Sequence, residues 1–115
     1  MNFKALRVEE DIKRQLSILI PSLKNLSLAS KEISIVRVDL SKNRTKAVVY
    51  VASLKGFVYA RQAIRYLENV CGFLRHEISK NLKLKRVPQL EFVADDFLKY
   101  EEHLEELFLK IRKGK

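Results

Sequence analysis

A chain of 115 residues and 13.4 kDa has room for one domain around one modest core, residues 1–115, and no second one. Hydrophobic residues at 47% and charged residues at 32% place it among folded chains rather than disordered ones, and no apolar run approaches the roughly 18 residues of a membrane span. The formal charge of +9 and the pI near 9.8 point first to a polyanionic partner, RNA or DNA. Cys71 is the single cysteine, which excludes an intrachain disulfide. With Met1-Asn2-Phe3-Lys4 leading into mixed charge rather than an apolar signal segment, a reducing, cytoplasmic setting is expected.

Residues 5–20 read as a helix, because Ala5, Val8, Ile12, Leu16 and Leu19 recur at steps of three and four. Glu9 with Lys13 and Glu10 with Arg14 form favourable i,i+4 pairs. Pro21 is expected to end this helix near Ile20, since it has no backbone donor. Residues 21–31 read as a polar connection. Ile33 to Leu40 alternates and is rich in β-branched residues, so it is a strand with Ile33, Ile35 and Arg37 on one face and Ser34, Val36, Val38 and Leu40 on the other. The polar turn Ser41-Lys42-Asn43-Arg44 joins it to a second strand, Thr45 to Ser53, as an antiparallel hairpin.

From Phe57 to Leu82 the pattern is helical without a phase break. A straight helix of that length would span about 39 Å and project past the core of so small a domain. A bend at Gly72 resolves this and gives two helices. Val87 to Ala94 is a third strand, with Pro88 at its entrance and Leu90 and Phe92 on one face. Asp95 or Asp96 then caps a last helix whose apolar stripe runs through Phe97, Tyr100, Leu104, Leu107, Phe108 and Ile111. The expected fold is α+β: a three-stranded sheet with helices packed on one face.

The charge is unevenly spread. Residues 42–90 hold eleven cationic side chains against Glu68 and Glu77 alone. Residues 91–109 reverse the balance, with seven acids against Lys99. The middle of the chain is therefore the candidate polyanion face, and the acidic run turns away from it or toward a protein.

Catalytic patterns are missing. Gly56, Gly72 and Gly114 lie too far apart for a phosphate-cradling loop. His76 and His103 with one cysteine cannot build a zinc finger or ribbon. Cys71 sits in the apolar stripe with no evident partner base, and reads as an inert core thiol. Asp95-Asp96 is explained by helix capping. The chain reads as a binding protein without a cofactor or metal, not an enzyme.

The order of elements is that of a type II KH domain without the Gly-x-x-Gly loop that such domains use to hold single-stranded nucleic acid. Val70-Cys71-Gly72-Phe73-Leu74-Arg75 resembles the Ala-x-Gly bend, followed by Phe, an aliphatic residue and Arg, of the bacterial ribosome-binding factor A family. Ile78 to Phe92 resembles that family's basic-apolar segment leading into a Pro-acid-Leu-x-Phe strand, with Asp95 at its usual aspartate. Val38-x-Leu40-Ser41 and Val49-Tyr50-Val51 match its hairpin. Val70 stands where the family has Ala, Gln89 where it has an acid, and Phe97 where Ser is common.

The resemblance implies a cytoplasmic factor for late maturation of the small (30S) ribosomal subunit. Its partners would be 30S precursors, free 30S subunits and 16S rRNA near the 5′-terminal helix and neck. It would aid 5′-end processing, matter most in the cold, act as a monomer, and leave with the help of a maturation GTPase. The candidate RNA contacts are Arg44, Lys46, Arg61, Arg65, Arg75, Lys80, Lys83, Lys85 and Arg86, with Val70, Cys71 and Gly72 forming the bend. Two other readings fit the same residues: a KH-like RNA chaperone that never meets the ribosome, and an adaptor acting through the acidic C-terminal helix.

Overall fold

The computed structural model describes residues 3–95 and Leu109. Its elements follow in the order α1 (Phe3–Ser22), α2 (Leu26–Ser30), β1 (Ile33–Leu40), β2 (Lys46–Ser53), α3 (Phe57–Asn69), α4 (Cys71–Leu82) and β3 (Gln89–Ala94). The expected C-terminal helix, with its stripe from Phe97 to Ile111 and a cap at Asp96, lies outside the described residues.

The strands form one mixed sheet in the order β1-β2-β3. β1 and β2 are an antiparallel hairpin, and β3 runs parallel to β2, with Lys46 opposite Gln89 and Val51 opposite Ala94. A parallel neighbour cannot be reached by a tight turn, so the bent α3–α4 pair supplies the crossover. The helices cover one face: α1 lies against β1, α3 against β2 and β3, and α4 against α1. This is the KH-like α+β fold expected from the order of elements.

The buried face draws on one phase of each element. Ile12 and Leu16 come from α1, Val49 and Val51 from β2, Leu67 from α3, and Leu74 and Ile78 from α4, all fully buried. Each such side chain contributes about 1.5–3 kcal/mol by leaving water. Among the described residues no charged or polar side chain is buried, so the core is apolar.

Four expectations are corrected here. The alternation read along β1 is broken by a register shift between Ile35 and Arg37, where Val36 is the extra residue of a bulge. Val38 therefore joins Ile35 on the buried face, and Arg37 turns to the open one. Pro21 does not end α1, which runs on to Ser22. In the final turn a proline forfeits a single backbone bond, and Ser22 Oγ donates to the Leu19 carbonyl there. The connection at 21–31 contains the short helix α2, capped by Asn25, whose Oδ1 accepts from Leu28 N at 2.9 Å and helps seat the buried Leu28. Finally, of the three residues Val70, Cys71 and Gly72 expected to form the bend, it is Val70 (φ −101°, ψ 10°) that separates the helices, while Cys71 and Gly72 sit inside the first turn of α4.

Candidate nucleic-acid interface

The two basic loops lie at one end of the sheet. β1 ends where β2 begins, and β3 starts beside the start of β2, so the hairpin turn and the 83–88 connection are neighbours. Gln89 N donates to the Thr45 carbonyl at 2.9 Å and joins them directly.

The hairpin turn folds by satisfying its own polar groups. Asn43 Oδ1 accepts from Ser41 Oγ (2.8 Å), Thr45 N (3.2 Å) and Thr45 Oγ1 (2.8 Å). Ser41 Oγ in turn accepts from Lys46 N at 3.1 Å. This network holds Arg44 at φ 59°, in the left-handed region that side chains rarely adopt, with its guanidinium exposed. The short residues bond to one another, and the cations Lys42 and Arg44 take no part in this network and are exposed.

Arg75 fixes the 83–88 connection. Its Nε donates to the Pro88 carbonyl at 3.1 Å and its Nη2 to the Val87 carbonyl at 2.9 Å. The flat guanidinium holds two consecutive peptide oxygens, and Pro88 is buried beneath. At the other end of the connection Lys83 closes α4 in the left-handed conformation, φ 55°. Between these fixed points Lys85 and Arg86 are exposed. Together with Arg44 they flank a cleft of about 200 Å³ lined also by Val8, Leu40, Leu84 and Pro88.

Arg61 and Arg65 stand one turn apart on the exposed side of α3, opposite Ala60, Ala63, Ile64 and Leu67. α3 leads toward the same basic end: Cys71, just past the bend, places its half-buried sulfur 4.0 Å from the Leu90 carbonyl oxygen near the start of β3.

Three of the nine candidate cations already have partners. Arg75 holds the two carbonyls. Lys46 lies on the open face of the sheet and pairs with Glu91 at 2.6 Å. Lys80 pairs with Glu77 at 3.4 Å on the surface of α4. Among the described residues, no ion pair or side-chain hydrogen bond engages the other six: Arg44, Arg61, Arg65, Lys83, Lys85 and Arg86.

Gly72 is exposed, does not have a positive φ, and a Cβ built on it meets nothing within 4 Å. The bend does not depend on its lacking a side chain. Val70 fills the position by packing partly into the core, and its N–H donates to the Tyr66 carbonyl at 3.2 Å.

The open face of the sheet carries a pair that strand periodicity concealed. Arg37 lies over the Tyr50 ring at 4.3 Å and pairs with Asp39 at 3.1 Å. Tyr50, and then the Asp39 carboxylate, raise the Arg37 pKa above its ordinary value. With Lys46–Glu91 beside it, this face is made of matched charges rather than a cationic field. Among the described residues there is no cluster of three side chains able to hold a metal ion, and no helix is long and apolar enough to cross a membrane.

Residues 4–108 match the family model described as ribosome-binding factor A. The chain belongs to the ribosome-binding factor A family. A ribosome-binding factor A from Caldicellulosiruptor bescii is 38% identical over 96 residues, which are 82% of this chain and 73% of the relative. The crystal structure of ribosome-binding factor A from Thermus thermophilus superposes with a TM-score of 0.69 at 26% identity, covering 78% of this chain and 94% of that one. The Thermus thermophilus ribosome binding factor A homology model fitted into the cryo-EM map of a 30S complex aligns with a TM-score of 0.62 at 25% identity, covering 76% and 90%. The family's fold and the arrangement of elements derived above are the same.

Proposed function

We propose that this protein binds the small (30S) ribosomal subunit late in its maturation and aids 16S rRNA 5′-end processing, most of all in the cold. The observation that carries this reading is the convergence of unpaired cations at one end of the sheet, in a family whose Thermus thermophilus member was fitted into a 30S complex. Arg44, Lys85 and Arg86 meet at the sheet end, and Arg61 and Arg65 extend the positive surface along α3. Guanidinium groups suit phosphate because their donors form a rigid fork. Contact with phosphates rather than base edges makes the protein a reader of rRNA shape. It binds and releases without chemistry, without a cofactor and as a monomer in the cytoplasm, with a maturation GTPase driving departure.

If the six unpaired cations each meet a phosphate, log affinity falls against log salt with a slope of roughly −5. Sedimentation of the tagged protein with ribosomal particles from a cold-grown lysate tests the reading. Co-migration with free 30S subunits, absence from 70S particles and loss with moderate salt are expected. Absence from every ribosomal fraction at low salt overturns it and returns the protein to the class of free RNA chaperones.

A further inference from the structure

We propose that the cleft between the first turns of α1, the hairpin turn and the 83–88 connection receives one unstacked nucleobase, so that the protein prefers helical RNA interrupted by a single bulged nucleotide. The inference rests on the RNA-binding reading above and adds to it a subsite. It differs from the bend of α3–α4, where KH-type recognition is sought.

Three properties of the cleft carry the argument. Four of its seven lining residues are apolar: Val8, Leu40, Leu84 and Pro88 offer methyl groups, methylenes and a proline ring. The other three are cationic, Arg44, Lys85 and Arg86, exposed and unpaired among the described residues. Its volume, about 200 Å³, is below the roughly 300 Å³ where sites for drug-sized molecules begin, so it has room for one small group.

A ligand that is flat and apolar on its faces, yet anionic on either side, matches all three properties at once. That ligand is a nucleotide within a strand, its base inside and its flanking phosphates on the rim. A stacked base in an A-form duplex cannot enter, whereas a bulged one is already free. The four apolar side chains offer no hydrogen bonds to the base edge, and the cations are taken up by the flanking phosphates, so the subsite selects for an extruded base without selecting which base.

The backbone supports the same site. Arg44 stands in the left-handed conformation at one wall, and Lys83 does so beside the other. Side chains at such positions are costly. Here they mark the two turns whose geometry shapes the cleft.

The test compares a perfect RNA duplex with the same duplex carrying one bulged 2-aminopurine, at low salt. The bulge is expected to raise affinity about tenfold, the gain from taking a modest apolar area of the base out of water. The environment-sensitive fluorescence of the bulged base should change on binding. Replacing the bulged base by an abasic site should return affinity to that of the duplex. Leu84→Trp, which fills the cleft from a segment outside helix and strand, should bring the ratio of the two affinities to about one, with thermal unfolding confirming the fold. Equal affinity for both RNAs in the native protein, or a gain that survives the abasic site, overturns the inference while leaving phosphate binding intact. No binding to either RNA at low salt overturns the RNA reading itself.

Discussion

Arg75 and Arg86 are both arginines of the same basic stretch, yet the fold treats them in opposite ways. Arg75 points back into the protein and holds the Val87 and Pro88 carbonyls. Arg86, next to those peptides, is exposed and unpaired among the described residues. The first cation fixes the loop that presents the second. A basic run is thus a mixture of scaffold and contact, and what separates them is whether an orphan carbonyl lies within reach.

The sharpest way to break this comparison is to exchange the two fates. Arg75→Ala leaves two peptide oxygens without their charged donor, at a cost of about 2 kcal/mol. For a domain of this size that lowers Tm by roughly 10 °C. Arg75→Lys should rescue little of the loss, because an ammonium cannot span two carbonyls along one flat edge. Arg86→Ala should leave Tm within about 2 °C, as surface substitutions usually do, and make the salt slope of RNA binding shallower by about one. Equal Tm changes for both alanine variants would end the distinction.

Lys83 sharpens the comparison at intermediate size, since it combines both roles in one residue. Lys83→Gly relieves a left-handed side chain and should stabilise the protein by about 1 kcal/mol in chemical unfolding. It should still weaken RNA binding through the lost charge. A stabilised variant with undiminished affinity would place Lys83 with the scaffold.

The smallest effect is expected at Gly72. An added methyl meets open space on an ordinary helical backbone, so Gly72→Ala should stabilise by about 0.5 kcal/mol. A drop in RNA affinity without loss of stability would show that nucleic acid approaches the backbone at the bend.

Much of the fold was legible because its signals are periodic. The α3–α4 stripe, the β-branched runs of β1 and β2, and Pro88 before β3 each placed an element within two residues. The misses share a cause: single-residue events. The bulge at Val36 inserts one residue into an alternation that still looks continuous. The five residues of α2 are too few to show a helical period. The bend was read onto Gly72 because glycine is the weakest helix former nearby, whereas the chain turns at Val70, whose side chain packs against the core. For the interface, composition indicated a cationic face but could not sort its members. That Arg75 faces two carbonyls, and that Lys46 pairs with Glu91 on the neighbouring strand, depends on contacts across the fold that no local pattern encodes. The cleft is assembled from α1, the hairpin and the 83–88 connection, and none of these announces it alone.

The parallel pairing of β2 with β3 also sets the order in which this surface can come into being. A nascent chain can wind α1 and close the hairpin as soon as they are made, since both rely on near neighbours. Arg44 meets Lys85 and Arg86 only after β3, Gln89–Ala94, has been synthesised and docked beside β2. Such non-local pairing is the slow part of folding. Incomplete chains therefore carry scattered cations and no composite surface, so the RNA-binding face proposed here exists only once the sheet is complete.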